Sequence, residues 1–247
     1  GFDYLGEPSP YDTDAWPNHS SMFGIIDLAS LPKDRYYLYR SVWNKDAETL
    51  HILPHWTWPP GREGEVTPVF VYTNYPTAEL FINGKSYGKQ SKNNSSLKNR
   101  YRLMWMDAVY EPGEVKVVAY NKEGKAVAEK VVRTAGKPHH IELVSNRNEL
   151  TADGKDLAYV TVKVVDKDGN LCPTDNRQIN FSAKGTGKYR AAANGDPTNL
   201  EQFHLPKMHA FNGMLTAIIQ AGETAGEIVF TAKANGVKAG NIRIQTK

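Results

Sequence analysis

Apolar positions in this chain follow a helical spacing once, near the beginning, and a spacing of two almost everywhere after it. Tyr36, Tyr39, Val42 and Trp43 stand at i, i+3, i+6 and i+7, which is one face of a helix. Pro32-Lys33-Asp34 comes just before them. Proline fits the first helical turn and an acid there complements the helix dipole, so the helix is expected to start at this point. An aromatic stripe of this kind is expected to pack into a core. Upstream, residues 11–21 are polar with two nearby prolines and read as a long loop, and Phe23 to Leu28 is a short buried stretch.

From Glu48 to Ala135 the alternation predicts strands over 50–56, 67–73, 79–82, 100–106, 114–120 and 125–133. Asn83-Gly84 is a hairpin turn signal, and Asn121 to Lys125 supplies a second turn. The polar, basic stretch 91–99 fits a mobile hairpin tip. Gly136-Lys137-Pro138 reads as a joint, after which the alternation restarts over 140–144, 158–165, 178–183, 189–193, 214–220, 227–232 and 240–245. Asp166 to Asn170 is a turn, and the weakly patterned link 195–212 is expected to cover one end of a sheet. Short strands at this spacing suit an immunoglobulin-like sandwich, without the Cys-Trp-Cys signature of antibody domains.

The first residues differ from the rest. Gly1-Phe2-Asp3-Tyr4-Leu5-Gly6-Glu7-Pro8 is an apolar, aromatic run that ends at Gly-Glu-Pro, the way a barrel strand brings polar side chains to a rim. With the helix that follows, it reads as the last strand and helix of a (β/α)8 barrel whose other strands are not in this sequence. The expected architecture is mainly β: residues 1–46 as the barrel remnant, 47–136 as an accessory β-sandwich and 137–247 as an immunoglobulin-like β-sandwich.

Composition narrows the function classes. The 247 residues are 40% hydrophobic and 23% charged, and a net charge of +3 comes from 30 basic and 27 acidic residues without a basic block. That pattern argues for neither nucleic acid nor a membrane surface, and no apolar run reaches the ~18–20 residues of a membrane span. Cys172 is the only cysteine, so an internal disulfide is excluded and the thiol reads as a small core filler.

Candidate chemistry is sparse. A retaining glycosidase needs carboxyl groups about 5–5.5 Å apart, whereas Asp3 and Glu7 on an extended strand would lie about 13 Å apart. They read as rim residues, and a catalytic pair there would need a bend at Gly6. His51 and His55 lack the helical spacing of a zinc site, His204 and His209 have no nearby acid cluster, and Asp166 to Asn170 departs from a calcium loop. No metal, cofactor or nucleophile-elbow motif is present. Trp56 and Trp58, in His55-Trp56-Thr57-Trp58-Pro59-Pro60, allow two readings. They form a platform that stacks on sugar rings, or they seal the sandwich against the helix bearing Tyr36, Tyr39 and Trp43.

Taken together, Phe2 to Pro8, Phe23-Gly24-Ile25-Ile26-Asp27, Pro32 to Tyr39, Leu53-Pro54-His55-Trp56, Val71-Tyr72-Thr73-Asn74 and Glu79 to Gly84 resemble the family 2 glycoside hydrolases, specifically β-galactosidases of Bacteroides type. Asn194-Gly195-Asp196-Pro197 and His209 to Gly213 resemble their terminal domain, so the resemblance covers essentially the whole chain. It implies a retaining exo-hydrolase of terminal β-galactosides or related β-linked sugars, with both catalytic glutamates upstream of Gly1 and none in this chain. Phe2, Asp3 and Tyr4 match the eighth-strand position that contacts sugar. The implied partner is a catalytic barrel of the same polypeptide, with homo-oligomer contacts also open, and the implied location is the periplasm or cell surface. Two other readings stay open: a pair of carbohydrate-binding modules using Trp56 and Trp58, or structural spacer domains.

Overall fold

The computed structural model describes residues 1–6 and 18–247. Two compact units emerge, Pro32–Thr134 and a unit made of Gly1–Leu31 with Ala135–Lys247.

Pro32–Thr134 contains α1 (Asp34–Trp43), β1 (Leu50–Leu53), β2 (Val69–Thr73), β3 (Thr77–Ile82), β4 (Lys85–Ser91), α2 (Leu97–Tyr101), β5 (Leu103–Trp105), β6 (Glu114–Tyr120) and β7 (Ala126–Arg133). Its antiparallel sheets run β1-β2-β5 and β4-β3-β6-β7. Inward positions alternate along β3 and β6, and Val69, Val71, Leu80, Ile82, Val115 and Val117 meet in one core with Trp56, Trp105 and Tyr110. Burying these side chains is the main favourable term for the sandwich. Asn83 and Gly84 have φ of 48° and 81°, the paired positive values of the tight hairpin turn their sequence announces.

Two expectations are corrected here. Residues 91–99 are not a hairpin tip: they end β4 and lead into α2, where the Ser96 side chain accepts the Asn99 N–H at 3.1 Å and caps the helix. The aromatic stripe of α1 is not a core face either. Trp43 is 72% exposed and stacks on Tyr39 with ring centroids 4.6 Å apart. The opposite face packs instead, because Tyr37 stacks flat on the His51 ring at 3.9 Å and Asp34 Oδ1 holds His51 Nε2 at 2.7 Å. Residues 34, 37 and 41 share that face, and Ser41 is the buried member.

The other unit contains β8 (His140–Ser145), β9 (Glu149–Leu150), β10 (Leu157–Val165), β11 (Gln178–Gly185), β12 (Gly187–Ala193), β13 (Lys207–His209), β14 (Met214–Ala221), β15 (Gly226–Lys233) and β16 (Gly240–Thr246). One sheet has the order β12-β14-β10-β8 and the other β13-β11-β15-β16-β9. Val160, Val162, Leu215, Ile219, Ile228 and Phe230 fill the space between them, as expected of a sandwich with alternating inner faces. Asp166, 2% exposed, organises the turn after β10: its Oδ1 accepts the N–H groups of Asp168 and Asn170 at 2.9 and 2.8 Å.

Candidate functional site

Within the unit that contains the immunoglobulin-like sandwich, the first residues form one strand of a small ribbon. Phe2 pairs in parallel with Ile26, and Leu5 antiparallel with Ser20. The Asp3 N–H donates to Ile26 O at 2.8 Å, the Ser21 N–H to Tyr4 O at 3.0 Å, and the Gly6 N–H to His19 O at 3.0 Å. On the sandwich, Pro197 O accepts the His19 N–H at 2.7 Å. The ribbon is therefore tied to the 194–199 loop, whose residues carry part of the family resemblance.

Side chains sort themselves on the two faces of this ribbon, because successive strand residues point opposite ways. Asp3 is 7% exposed, and its Oδ1 accepts the Gly24 N–H at 2.8 Å. Phe2 and Tyr4 are 67% and 40% exposed, and the Tyr4 ring meets Phe23 edge-on at 6.3 Å. Of the three residues expected to touch sugar, Phe2 and Tyr4 present aromatic surface while Asp3 fastens the strand. Glu7 lies outside the described residues. Asp27 stiffens the next turn by accepting the Ala29 and Leu31 N–H groups, both at 2.8 Å. This turn walls a cleft of about 220 Å³ with Tyr159, Thr161 and Thr216.

The second candidate lies in Pro32–Thr134. Trp56 is 1% exposed; its Nε1 donates to Glu111 O at 2.9 Å, and its ring packs edge-on against Tyr110 at 5.2 Å. A sugar cannot stack on a ring inside the core, so the platform expected at Trp56 is corrected to a core residue. The core that encloses it is built from residues such as Ile52, Val69 and Val115. Trp58 is half-buried, with the His55 ring 4.3 Å away and the Arg62 guanidinium 4.4 Å from its ring centre. It borders an apolar cleft of about 320 Å³ with Leu53, Val66 and Phe70. Burial holds His55 below the usual imidazole range.

Two further histidines have structural partners. His51 lies against Tyr37 and Tyr72, and His209 Nδ1 meets Glu201 Oε1 at 3.0 Å. Among the described residues no three His, Cys, Asp or Glu side chains come together as a metal-holding group. The ribbon's reliance on Gly24 escaped sequence reasoning: a Cβ there would lie 2.4 Å from the Asp3 backbone nitrogen. The only available signal was a glycine inside an apolar run.

Residues 141–243 match glycoside hydrolase family 2 C-terminal domain 5, and residues 64–128 match a domain of unknown function. A β-galactosidase from Bacteroides ovatus, BoGH2A, is 44% identical over all 247 residues, which span 28% of that protein. A putative β-glucuronidase from Formosa agariphila is 35% identical over 80% of this chain and 18% of its own length. The crystal structure of a β-glycosidase from Bacteroides vulgatus superposes with a TM-score of 0.88 at 33% identity, covering 99% of this chain and 30% of that one. The chain thus spans less than a third of the length of each of these relatives.

Proposed function

The chain belongs to glycoside hydrolase family 2, and we propose that it is the C-terminal accessory region of a retaining, exo-acting β-galactosidase-like enzyme. The observation that carries this reading is the 44% identity, end to end, with a β-galactosidase of which the chain spans only 28%. In this reading the glutamates that cleave the O-glycosyl bond lie in a catalytic barrel of the same polypeptide. The two β-sandwiches support that barrel and shape the rim of its pocket.

The ribbon is where such a role would touch substrate. Phe2 and Tyr4 offer exposed aromatic faces that suit the C–H surface of a terminal galactoside. Asp3 acts through position: its carboxylate holds the Gly24 N–H and so fixes the strand that carries both rings. The test compares the purified chain with its parent polypeptide on an aryl β-galactoside and an aryl β-glucuronide. The chain alone should show no turnover above buffer. The parent should prefer the galactoside, and Phe2→Ala and Tyr4→Ala in the parent should raise KM more than they lower kcat. Turnover by the chain alone, abolished in Glu7→Gln, would sink the proposal.

A further inference from the structure

Between the end of β4, α2 and β5 lies a small cleft of about 70 Å³, bordered by Ser91, Asn93, Asn99 and Arg102 and by no acidic side chain. The Arg102 Nε is buried and has no hydrogen-bond partner. A buried guanidinium N–H without an acceptor is costly, because the full desolvation penalty of a charged donor stands uncompensated. The guanidinium lies over the Tyr72 ring, 5.8 Å from centroid to Cζ. No ion pair of this unit among the described residues includes it.

The surroundings add positive charge without cancelling it. Lys92 follows Ser91 directly, and its ammonium donates to Thr73 O. Burial, and then the charge of Lys45, hold that amine down at about 8. The Asn99 Nδ2 is already given to Ser95 Oγ at 2.7 Å, and Arg102 is the one charged side chain among the described residues that line the cleft.

We propose that this cleft is an oxyanion site, taking one sulfate- or carboxylate-sized group on the Arg102 guanidinium. Charge-assisted bonds from arginine to such groups are among the strongest hydrogen bonds in proteins. The volume suits a single small group, at roughly twice the ~30 Å³ share of one liquid water. The same chemistry is presented by a free anion and by a sulfate ester or uronate on a glycan.

The test is an NMR titration of the isotope-labelled chain with sodium sulfate and sodium acetate, at ionic strength matched with sodium chloride. The expected result is a saturable shift of the Arg102 Nε–H and of backbone amides across 90–104. Arg102→Gln, and separately Asn99→Asp, should weaken that binding at least tenfold as read on the amides. Galactose 6-sulfate and glucuronate run alongside separate the sources: tighter binding than sulfate and acetate assigns a glycan substituent, and equal binding assigns the free anion. Absence of a saturable shift, an equal response to chloride, or unchanged affinity in folded variants would overturn the proposal and leave the cleft to water.

Discussion

The Asp3 carboxylate accepts the backbone N–H of Gly24 at 2.8 Å, and nothing larger than glycine fits on the other side of that bond. A Cβ at Gly24 would lie 2.4 Å from both the Asp3 nitrogen and the Phe2 carbonyl carbon. These are backbone atoms, which cannot swing aside. Gly24→Ala should therefore pry the ribbon open locally while the sandwich stays folded. Hydrogen exchange should show the Asp3, Ser21 and Ile25 amides losing at least about tenfold protection, roughly 1.4 kcal/mol. The Val160 and Val162 amides should keep theirs.

Trp56 and Trp58 should separate cleanly on mutation. Trp56→Ala removes a fully buried ring and its bond to Glu111, so it should cost about 3–5 kcal/mol in urea unfolding. Trp58→Ala removes a half-buried ring at the margin of that core and should cost less than about 2 kcal/mol. Titration calorimetry with galactose decides whether the Trp58 cleft binds sugar. Heat that vanishes in Trp58→Ala would favour a carbohydrate-binding role, and silence in the unmodified chain would count against it.

Asp166 predicts a particular acid response. Burial alone would raise its carboxyl, but bonds from the Asn170 amide and from the Gly136, Asn170 and Asp168 N–H groups outweigh burial and hold it at about 2. Since the unfolded value is about 3.9, this group's contribution is complete above that pH and is lost as pH falls towards the folded value. Asp166→Asn should lower stability at neutral pH by about 1–3 kcal/mol and flatten the decline below pH ~4. Unfolding midpoints measured across that range check both.

Cys172 should behave as an inert thiol. It is 3% exposed, and burial, followed by the Asp166 and Asp175 charges, pushes it up to about 11. The thiolate is the reactive form, so native protein at pH 8 should resist iodoacetamide, while the chain in denaturant should be alkylated completely. Mass spectrometry reads the difference.

Much of the fold was legible because alternation survives wherever one face of a strand is buried. β6, β10 and β14 stand close to where the pattern of Val, Ile and Ala places them. β4 was invisible for the converse reason: Lys85 to Ser91 has no buried position, so an edge strand of charged and polar residues carries no period to read. The short β9 and β13 offer too few residues for a pattern. The face of α1 was misjudged because Tyr37 and His51 pack by ring stacking, a pairing that hydrophobic spacing does not encode. At the candidate site, the aromatic and acidic character of Phe2 to Tyr4 was plain in the sequence. That Asp3 would serve Gly24 depended on contacts more than twenty positions away.

One unit of this protein is written in two separated stretches, Gly1–Leu31 and Ala135–Lys247, with the other unit between them. A ribosome releases these pieces in an order that the fold does not follow. His19 emerges early, but the Pro197 carbonyl that accepts its N–H emerges only after the whole intervening sandwich has been made. The ribbon can close on itself through the Asp3–Ile26 and Tyr4–Ser21 bonds, but its tie to the sandwich waits until the inserted unit has been synthesised. A fault in that insert thus delays the anchoring of the ribbon on its own sandwich, although the insert supplies neither end of the His19–Pro197 bond that anchors it.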